Sequence, residues 1–377
     1  MTGATGFLGR HLLLAFLKAG KEMVLLIRAR TQEEASNRVG RILLEIASPG
    51  GPPLNGKVRI CLGSLSEPDL ALSPEHSELV LSTCDEFLHC GASVRLDLSL
   101  GEARAVNVNG TVAMLGLARA RQRRAGLSRF DYVSTAFVAG NRRDLVREEE
   151  LDGRLGHKNN YERSKFEAET AVRRARPEIP VTIYRPSVIV GNSSTGETSS
   201  FKMIYWPAMV YAMGVWRTCP GYPETSLDLV PVDFIRDVIL ELRSRPESLG
   251  HCFHLTAGPR GSITVAQTVK LLREILPESR PVRFVDPVWY MRTIHPLLKH
   301  LSFGRLRRLV RAGESYVPYL MHNPQFDNSG MMGFLSDSGI VVPDVRAYLH
   351  QLFRYCIATR WGEAKSGSEA QGREKWS

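Results

Sequence analysis

The chain has 377 residues, 43% of them apolar and 23% charged, so it can bury a large core and is not disordered over most of its length. Its formal net charge of +10 favours acidic partners, such as nucleotide phosphates, coenzyme A, an acidic carrier protein, anionic lipid or nucleic acid, without choosing among them. The six cysteines include no Cys-x-x-Cys pair, which predicts reduced thiols in a cytoplasmic protein and no metal site.

A glycine-rich loop lies at the start of the chain, with Gly3, Gly6 and Gly9 in the spacing Gly-x-x-Gly-x-x-Gly. The residues that follow, GRHLLLAFLKAG, place apolar side chains at helical spacing and predict a helix. Such a loop lets the backbone turn sharply and approach a pyrophosphate at the amino end of a helix. A glycine triad alone is weak evidence for this kind of site.

Only Met1 and Thr2 precede this loop. The first, central strand of a dinucleotide-binding sheet therefore has little sequence from which to form. We expect that first strand to be truncated here, with several more apolar residues upstream in the native protein.

Further along the chain, strand-like runs alternate with helical stretches. The predicted strands are 23–28, 58–63, 86–92, 130–136 and 181–187, and predicted helices include 108–124 and 161–176. This alternation predicts an α/β fold with a Rossmann-like, doubly wound parallel sheet that helices cover on both faces. Ligands of such sheets bind at the carboxyl ends of the strands.

Arg28 closes the predicted strand 23–28, at the position where an acidic residue would bind the ribose 2′-hydroxyl of NAD. A cation there suits the 2′-phosphate of NADP instead, and Arg38 lies one helix face further on. The pair therefore favours NADPH. The alternative is that both arginines are solvated surface cations.

Tyr161 and Lys165 are four residues apart in NNYERSKFEAE and share one face of a predicted helix. Because a neighbouring ammonium favours a phenolate, we expect Lys165 to lower the pKa of Tyr161 and to hydrogen-bond the nicotinamide ribose. Ser134 and Thr135 lie at the tip of the predicted strand 130–136, in YVSTAFV, and add hydroxyls at the same edge of the sheet. The alternative is a pair of exposed residues on a charged helix, since this spacing is common by chance.

After residue 195 the alternation breaks, and it returns briefly in LDLVPVDFIRDVILELRS and HCFHLTA. We assign 1–195 and 229–260 to an NADP-binding Rossmann domain, 196–228 and 261–362 to a smaller, mainly helical substrate lobe, and 363–377 to a flexible tail. The apolar segment 204–216 is shorter than the roughly 20 residues that span a bilayer, and it predicts a pocket wall.

A basic stretch runs from Arg280 to Arg311 and contains eight Lys or Arg residues against one acid, Asp286. Its leucines recur at near-helical spacing, which is typical of a basic amphipathic helix. One interpretation is a lobe helix with a solvated basic face. Others are docking of coenzyme A or of an acidic carrier protein, and peripheral contact with a membrane. Nucleic acid is not expected, because no recognisable binding module accompanies the charge.

Together the motifs resemble the extended short-chain dehydrogenases/reductases, and most nearly the thioester reductase and fatty acyl-CoA reductase group with its male-sterility-like NAD-binding domain. They occur in the family's order as TGATGFLG, LLIRAR, FLHCGASV, NVNGT, YVSTAFV, YERSKFEAE, YRPSVIVGNSSTGE and LDLVPVDF. One departure is Ser64, where the family usually has Asp near the adenine. That contact is therefore expected to lack a charge.

The resemblance implies that Thr135, Tyr161 and Lys165 are catalytic. It also implies that NADPH is held by the glycine loop, by two arginines at the 2′-phosphate, and by residues beside the adenine and the nicotinamide. These cofactor-binding residues are Gly3, Thr5, Gly6, Phe7, Leu8, Gly9, Arg28, Arg38, Ser64, Leu65, Ala92, Ser93, Val94, Ser134, Tyr161, Lys165, Pro186, Ser187 and Val188.

The function that the resemblance implies is NADPH-dependent reduction of an acyl thioester, on coenzyme A or on a carrier protein, to an aldehyde or alcohol. Two alternatives stay open. The first is a sugar-nucleotide epimerase, a dehydratase or another extended short-chain oxidoreductase, and Arg28 and the apolar segment 204–216 count against an enzyme of polar sugars. The second is an NADP-binding regulator without catalysis, and the retained Tyr161 and Lys165 count against it.

Overall fold

The computed structural model describes residues 1–46, 58–214, 218–279 and 281–362, so the predicted tail at 363–377 lies outside the described residues. The chain divides into two compact units. Unit 1 comprises Met1–Ile189, Phe234–Pro259 and Pro324–Val341, and unit 2 comprises Val190–Asp233, Arg260–Asn323 and the chain from Val342 onward.

The strands are β1 (Met23–Ile27), β2 (Val58–Leu62), β3 (Glu86–His89), β4 (Arg129–Val133), β5 (Leu145–Val146), β6 (Val181–Pro186), β7 (Val188–Val190), β8 (Thr218–Pro220), β9 (Ser226–Leu227), β10 (Leu229–Pro231), β11 (Cys252–Leu255), β12 (Ile263–Thr264), β13 (Arg283–Val285) and β14 (Gln325–Phe326).

The α-helices are α1 (Phe7–Lys18), α2 (Gln32–Ile46), α3 (Pro74–Thr83), α4 (Leu100–Arg104), α5 (Gly110–Ala125), α6 (Asn160–Arg174), α7 (Tyr205–Ala212), α8 (Val232–Ser244), α9 (Gly258–Gly261), α10 (Val265–Ile275), α11 (Pro287–Arg292), α12 (Ile294–Leu301), α13 (Gly304–Tyr316), α14 (Ser329–Phe334) and α15 (Val345–Ala358).

The main sheet of unit 1 is parallel and has the spatial order β2, β1, β3, β4, β6 and β11, with the first two residues of the chain between β1 and β3. Thr2 forms parallel bridges to Leu26 on one side and His89 on the other. Its amide donates to the carbonyl of Leu88 at 3.0 Å, and the amide of Leu26 donates to the carbonyl of Met1 at 3.0 Å. Met1 and Thr2 thus lie between β1 and β3 and connect the two halves of the sheet.

Helices pack on both faces of this sheet. Successive residues of a strand point to opposite faces, so neighbouring side chains of β1 contact different helices. Leu25 and Ile27 pack into a cluster with residues of α1 and α2, such as Leu13 and Val39. Leu26 packs against the other cluster, which contains residues of α5 and α6. The predicted doubly wound parallel sheet is confirmed.

The segment Pro324–Val341 belongs to unit 1, whereas the sequence-based division places it in the substrate lobe. β14, at the start of this segment, pairs in parallel with β5, and Phe326 lies opposite Val146 in this pairing. Phe326 is buried and its ring stands edge-on to that of Phe137, with centroids 5.6 Å apart. Strands of two residues carry too little apolar pattern for the sequence to reveal this return.

Unit 2 is mainly helical, with short strand pairs formed by β8 with β13 and by β9 with β12. Residues of α7 and α10 line an apolar pocket. Ile204, Pro207, Ala208 and Tyr211 contribute the α7 side of its wall. Among the residues that the structure describes, no helix combines the length and apolar character that crossing a bilayer requires.

Candidate active site

The parallel strands of unit 1 bring their carboxyl ends to one edge of the sheet. Arg28 follows β1, Ser64 lies just beyond β2, Gly91 follows the end of β3, Ser134 follows β4 and Ser187 follows β6. Since ligands of such sheets bind beyond these ends, this edge is the candidate active site.

The glycine loop is packed too tightly for any other residue at two positions. Gly3 has φ of +70°, and a Cβ there would lie 2.6 Å from the amide nitrogen of Gly91. A Cβ on Gly9 would lie 1.9 Å from the carbonyl oxygen of Gly3. Gly6 is the N-cap of α1 and supplies no side-chain cap, which leaves the amino end of the helix open to an anion. These features fit a dinucleotide pyrophosphate at Thr5, Gly6, Phe7 and Leu8.

We expect Gly9→Ala to weaken dinucleotide binding at least about tenfold, because the added methyl would push α1 away from the loop that it supports. Titration of tryptophan fluorescence with NADPH measures the affinity. The matched control is Gly40→Ala in α2, where a Cβ would meet nothing within 4 Å. Equal affinity in both variants would contradict this account of the loop.

A buried chain of hydrogen bonds lies behind this loop. The Thr2 hydroxyl lies 2.7 Å from Nδ1 of His89, and Nε2 of His89 lies 3.0 Å from the hydroxyl of Thr111. Thr111 donates its hydroxyl hydrogen to the carbonyl of Asn107 at 2.6 Å, so it accepts from His89 Nε2–H and Nδ1 accepts from Thr2. Burial, with the charge of Lys165, lowers the pKa of His89 to about 3, so the ring is neutral.

Thr135 and Tyr161 are brought together at the end of β4. Thr135 caps the 3₁₀ helix Ala136–Ala139, since its hydroxyl oxygen accepts from the amide of Phe137 at 3.3 Å, and it donates to the carbonyl of Pro186 at 3.4 Å. Burial raises the pKa of Tyr161 to about 12, and a hydrogen bond with the Thr135 side chain opposes that rise. Tyr161 is therefore a protonated phenol at neutral pH.

Lys165 lies on the next turn of α6 and is 2% exposed. Its Nζ donates to the hydroxyl of Tyr132 at 2.7 Å and to the carbonyl of Val133 at 2.9 Å. Burial lowers its pKa to about 8. The prediction that Lys165 lowers the pKa of Tyr161 is wrong, because the ammonium is directed at Tyr132 and Val133 and burial dominates the shift of Tyr161.

Asn107 is a site residue that the sequence reasoning missed, although it lies in the motif NVNGT. It is buried in the π-helical segment Ala105–Asn109, a geometry that is frequent at functional sites. Its Oδ1 accepts from the amide of Ser93 at 2.8 Å, and its Nδ2 donates to the carbonyl of Ser93 at 3.1 Å and to the hydroxyl of Ser164 at 2.9 Å. Asn107 thus fixes the loop after β3 to the turn of α6 that carries Lys165.

Ser134 leads into a buried charge network rather than toward an open surface. Its hydroxyl donates to Glu169 at 2.7 Å. Arg185 binds both carboxylate oxygens of Glu169, at 3.0 and 2.7 Å, and both side chains are 0% exposed. Burial alone would raise the pKa of Glu169, but the charges of Arg185 and Arg173 hold it at about 2. The sequence motifs contain Ser134, Glu169 and Arg185 without indicating that these residues meet.

The network of Glu169 and Arg185 continues into Pro324–Val341, the last segment of unit 1. Arg185 also donates to the carbonyl of Glu148 at 3.0 Å and to Nε2 of His254 at 3.2 Å. Nδ1 of His254 donates to the carbonyl of Asp327 at 2.7 Å, which fixes the ring tautomer. The Glu148 carboxylate accepts from the amides of His254 at 2.9 Å and Met331 at 3.1 Å, and burial raises its pKa to about 7.

The two arginines predicted to bind the 2′-phosphate lie together beyond β1. Arg38 donates through Nη1 to the carbonyl of Arg28 at 2.6 Å and through Nη2 to Glu34 at 2.7 Å. Arg28 is exposed and Arg38 is partly exposed. Arg38 is therefore held at the end of the strand by its own hydrogen bonds.

The remaining predicted cofactor residues lie on the loops after β2, β3 and β6. The Ser64 hydroxyl lies 2.9 Å from that of Ser66, and Leu65 packs against a core cluster. Ala92 and Ser93 are partly exposed and Val94 is exposed beyond β3. Pro186 ends β6, Ser187 follows it and Val188 begins β7, and the amide of Ser187 donates to the carbonyl of Leu255 at 3.3 Å. Within the described ranges, no group of three or more His, Cys, Asp or Glu residues could hold a metal ion.

Comparison with known proteins gives a family match over residues 1–239, to the family described as Male sterility protein, an NAD-binding family. The fatty acyl-CoA reductase wat of Drosophila melanogaster is 27% identical over 275 residues, which are 64% of this chain and 52% of the relative. The non-canonical nonribosomal peptide synthetase cpsA of Aspergillus campestris is 32% identical over 268 residues, which are 68% of this chain and 25% of the relative. The chain therefore spans about half or less of these curated relatives.

Among solved structures, the terminal R domain from the myxalamid PKS-NRPS biosynthetic pathway is similar with a TM-score of 0.82 and 27% identity. The similarity covers 96% of this chain and 90% of that domain. It extends beyond the residues of the family match and includes those of both units. The family match, the glycine loop and the doubly wound sheet agree, and the chain belongs to the Male sterility protein family of NAD-binding proteins.

Proposed function

We propose that this protein is an NADPH-dependent reductase of acyl thioesters, carried on coenzyme A or on a carrier protein. The observation that carries the proposal is the placement of Thr135 at the end of β4 with Tyr161 and the buried Lys165 on successive turns of α6, at one edge of the sheet. The relatives named as a fatty acyl-CoA reductase and as an R domain support the substrate class. The product is an aldehyde, or an alcohol after a second reduction.

When bound, the nicotinamide supplies a hydride to the thioester carbonyl carbon. The hydroxyls of Thr135 and Tyr161 hold the carbonyl oxygen, and hydrogen bonds to this oxygen strengthen as negative charge develops on it. Tyr161 then donates its proton to that oxygen as a general acid, a role that its raised pKa permits at neutral pH.

The product of that step is a hemithioacetal. Its carbon–sulfur bond breaks and the carbonyl re-forms, which expels a thiolate. The proton lost from the hemithioacetal hydroxyl balances the proton that the thiolate takes up. An aldehyde and a free thiol result.

Lys165 would bind the ribose beside the nicotinamide as a cation. Its ammonium is already held by Tyr132 and Val133, so little side-chain freedom is lost on binding. The 2′-phosphate would lie at Arg28 and Arg38, and the loop from Ala92 to Val94 beside the nicotinamide.

The pKa of Lys165, about 8, leads to a pH dependence. Because burial lowers this pKa, Lys165 is cationic below about pH 8 and neutral above it, so kcat/KM should fall about tenfold per unit at higher pH. A pH profile of NADPH oxidation with an acyl-CoA measures this. Burial also lowers the pKa of Lys158 to about 8, so Lys158→Met is the control and should keep the same alkaline limb. A flat profile above pH 8 would contradict the role of Lys165.

Removing the guanidinium groups should change the choice of cofactor. The Arg28→Ala/Arg38→Ala variant should raise the KM for NADPH about tenfold to a hundredfold and leave the KM for NADH nearly unchanged, because charged hydrogen bonds to the 2′-phosphate are lost. Arg41→Ala, at an exposed position of α2, should change neither KM. If the KM values for NADPH and NADH rise equally, the arginines do not bind the 2′-phosphate.

The experiment that tests the function is NADPH oxidation measured with acyl-CoAs of several chain lengths, nucleotide sugars, ketosteroids and no added substrate. Acyl-CoA-dependent oxidation with release of free thiol supports the proposal. Turnover of a nucleotide sugar without net NADPH consumption would indicate an epimerase. NADPH binding without turnover of any substrate would indicate a regulator.

A further inference from the structure

An exposed apolar surface lies on α11, α12 and the residues between α12 and α13. It consists of Val288, Trp289, Leu297, Leu298, Leu301 and Phe303, which we call the α12 patch. Trp289 is 51%, Leu301 is 61% and Phe303 is 78% exposed. Leu297 and Leu301 are one helical turn apart and Leu298 is beside them, so the leucines form one continuous stripe on α12. Contiguous exposure of this kind marks an interaction surface.

The opposite side of α12 already has its packing partners within unit 2. His295 is buried, its ring lies 6.1 Å from that of Tyr290, and its Nε2 lies 3.2 Å from the Glu314 carboxylate on α13. Lys299 donates to the same carboxylate at 2.7 Å. These contacts fix α12 against α11 and α13. α12 therefore does not use its outward leucines to pack against α11 and α13.

Exposed cations lie on the helices that precede and follow α12 in the chain. Arg292, Arg307 and Arg311 are exposed on α11 and α13. Asp286 accepts from the amide of Trp289 at 2.7 Å and from the hydroxyl of Tyr222 at 3.0 Å, and Glu314 accepts from Lys299, so both nearby carboxylates have partners. The surface therefore combines outward Trp, Leu and Phe side chains with a surplus of cations.

We propose that the α12 patch docks on an anionic membrane surface, with its apolar side chains in the boundary between headgroups and acyl chains. Apolar insertion and cationic attraction to anionic headgroups are the two contributions that hold interfacial helices. A second copy of this chain fits less well, because it would bring the same cations together. The inference concerns a partner surface and does not depend on the proposed reaction.

Co-sedimentation of the full chain with phospholipid vesicles tests the proposal. Vesicles of phosphatidylcholine with about one quarter phosphatidylserine should bind the protein at least tenfold more tightly than phosphatidylcholine alone, and added salt should weaken that binding. The variant Leu297→Ser/Leu301→Ser/Phe303→Ser should lose at least tenfold of the binding. The variant Arg307→Glu/Arg311→Glu should lose the preference for the anionic vesicles.

The matched control is Leu155→Ser/Val341→Ser, which removes two exposed apolar side chains from unit 1 and should bind like the native chain. All variants are checked for a native thermal unfolding transition. Trp289 gives a second measurement, because its fluorescence should shift to shorter wavelength on the anionic vesicles and this shift should be absent in Trp289→Phe. NADPH binding should be unchanged in the patch variants.

Four outcomes would overturn the proposal. The first is no preference for the anionic vesicles. The second is equal binding by the native chain and the triple serine variant. The third is a native dimer that the triple variant converts to monomer, which would assign the patch to a second copy. Capture of an acidic carrier protein in place of vesicles would likewise assign it to that partner.

Discussion

Replacing Tyr161 by phenylalanine should lower kcat for acyl-thioester reduction about 10²-fold to 10⁴-fold and leave the affinity for NADPH close to native. The substitution removes one hydroxyl, which is the group proposed to protonate the substrate oxygen. The phenol is protonated at neutral pH, so the lost function is proton donation to an oxygen that gains negative charge. Stopped-flow NADPH oxidation gives kcat, and fluorescence titration gives the affinity.

The matched control for this prediction is Tyr184→Phe. Tyr184 is buried in β6 and its hydroxyl donates to Asp131 within the sheet at 3.0 Å. Loss of this hydroxyl should leave kcat within about twofold of native, because no step of the proposed reaction uses it. Native kcat in Tyr161→Phe would exclude proton donation by this residue. A matching loss of NADPH affinity would instead make Tyr161 a binding residue.

Replacing Glu169 by alanine should lower the free energy of unfolding by about 3 to 5 kcal/mol, because breaking a buried pair leaves an uncompensated charge. The guanidinium of Arg185 would then remain at 0% exposure and would lose the carboxylate to which its Nε and Nη2 atoms donate. Ser134 would also lose its acceptor beside Thr135. Urea unfolding followed by circular dichroism measures the change.

Two further variants sharpen this measurement. Glu178→Ala removes a carboxylate that binds Arg119 on the surface at 2.6 and 3.0 Å, and its unfolding should stay close to native because solvent already screens this pair. The double variant Glu169→Ala/Arg185→Met should recover part of the stability that Glu169→Ala loses, since it removes the unpaired cation. If Glu169→Ala and Glu178→Ala lower the free energy of unfolding equally, burial of the network makes no contribution to stability.

The sequence was informative where a local pattern determines the structure. Apolar runs ended by glycine, serine or arginine predict the strands whose ends form the candidate site, and the glycine spacing predicts a loop at the amino end of α1. The spacing of Tyr161 and Lys165 predicts that both lie on one helix, which is α6, and the motif YVSTAFV predicts Thr135 at the end of a strand, which is β4. The roles of these residues, and the cytoplasmic location, stay predictions.

The sequence could not indicate what tertiary packing decides. Lys165 is directed at Tyr132 and Val133 because the end of β4 lies beside it, and no spacing in the sequence shows that direction. Glu169 and Arg185 are 16 residues apart on a helix and a strand, and only the packing of α6 on the sheet makes them partners. Asn107 depends on a π-helical turn, whose extra residue changes the face on which a side chain lies.

The linear order of the chain and its division into units do not coincide, because the backbone passes between the units at five places. A shortened protein that stops near residue 260, where the sequence motifs end, would lack the backbone groups of Asp327 and Met331. His254 and the carboxylate of Glu148 would then lose partners that come from the last third of the chain. Any attempt to produce the dinucleotide-binding half in isolation must therefore retain residues 324–341 through a linker or a circular permutation.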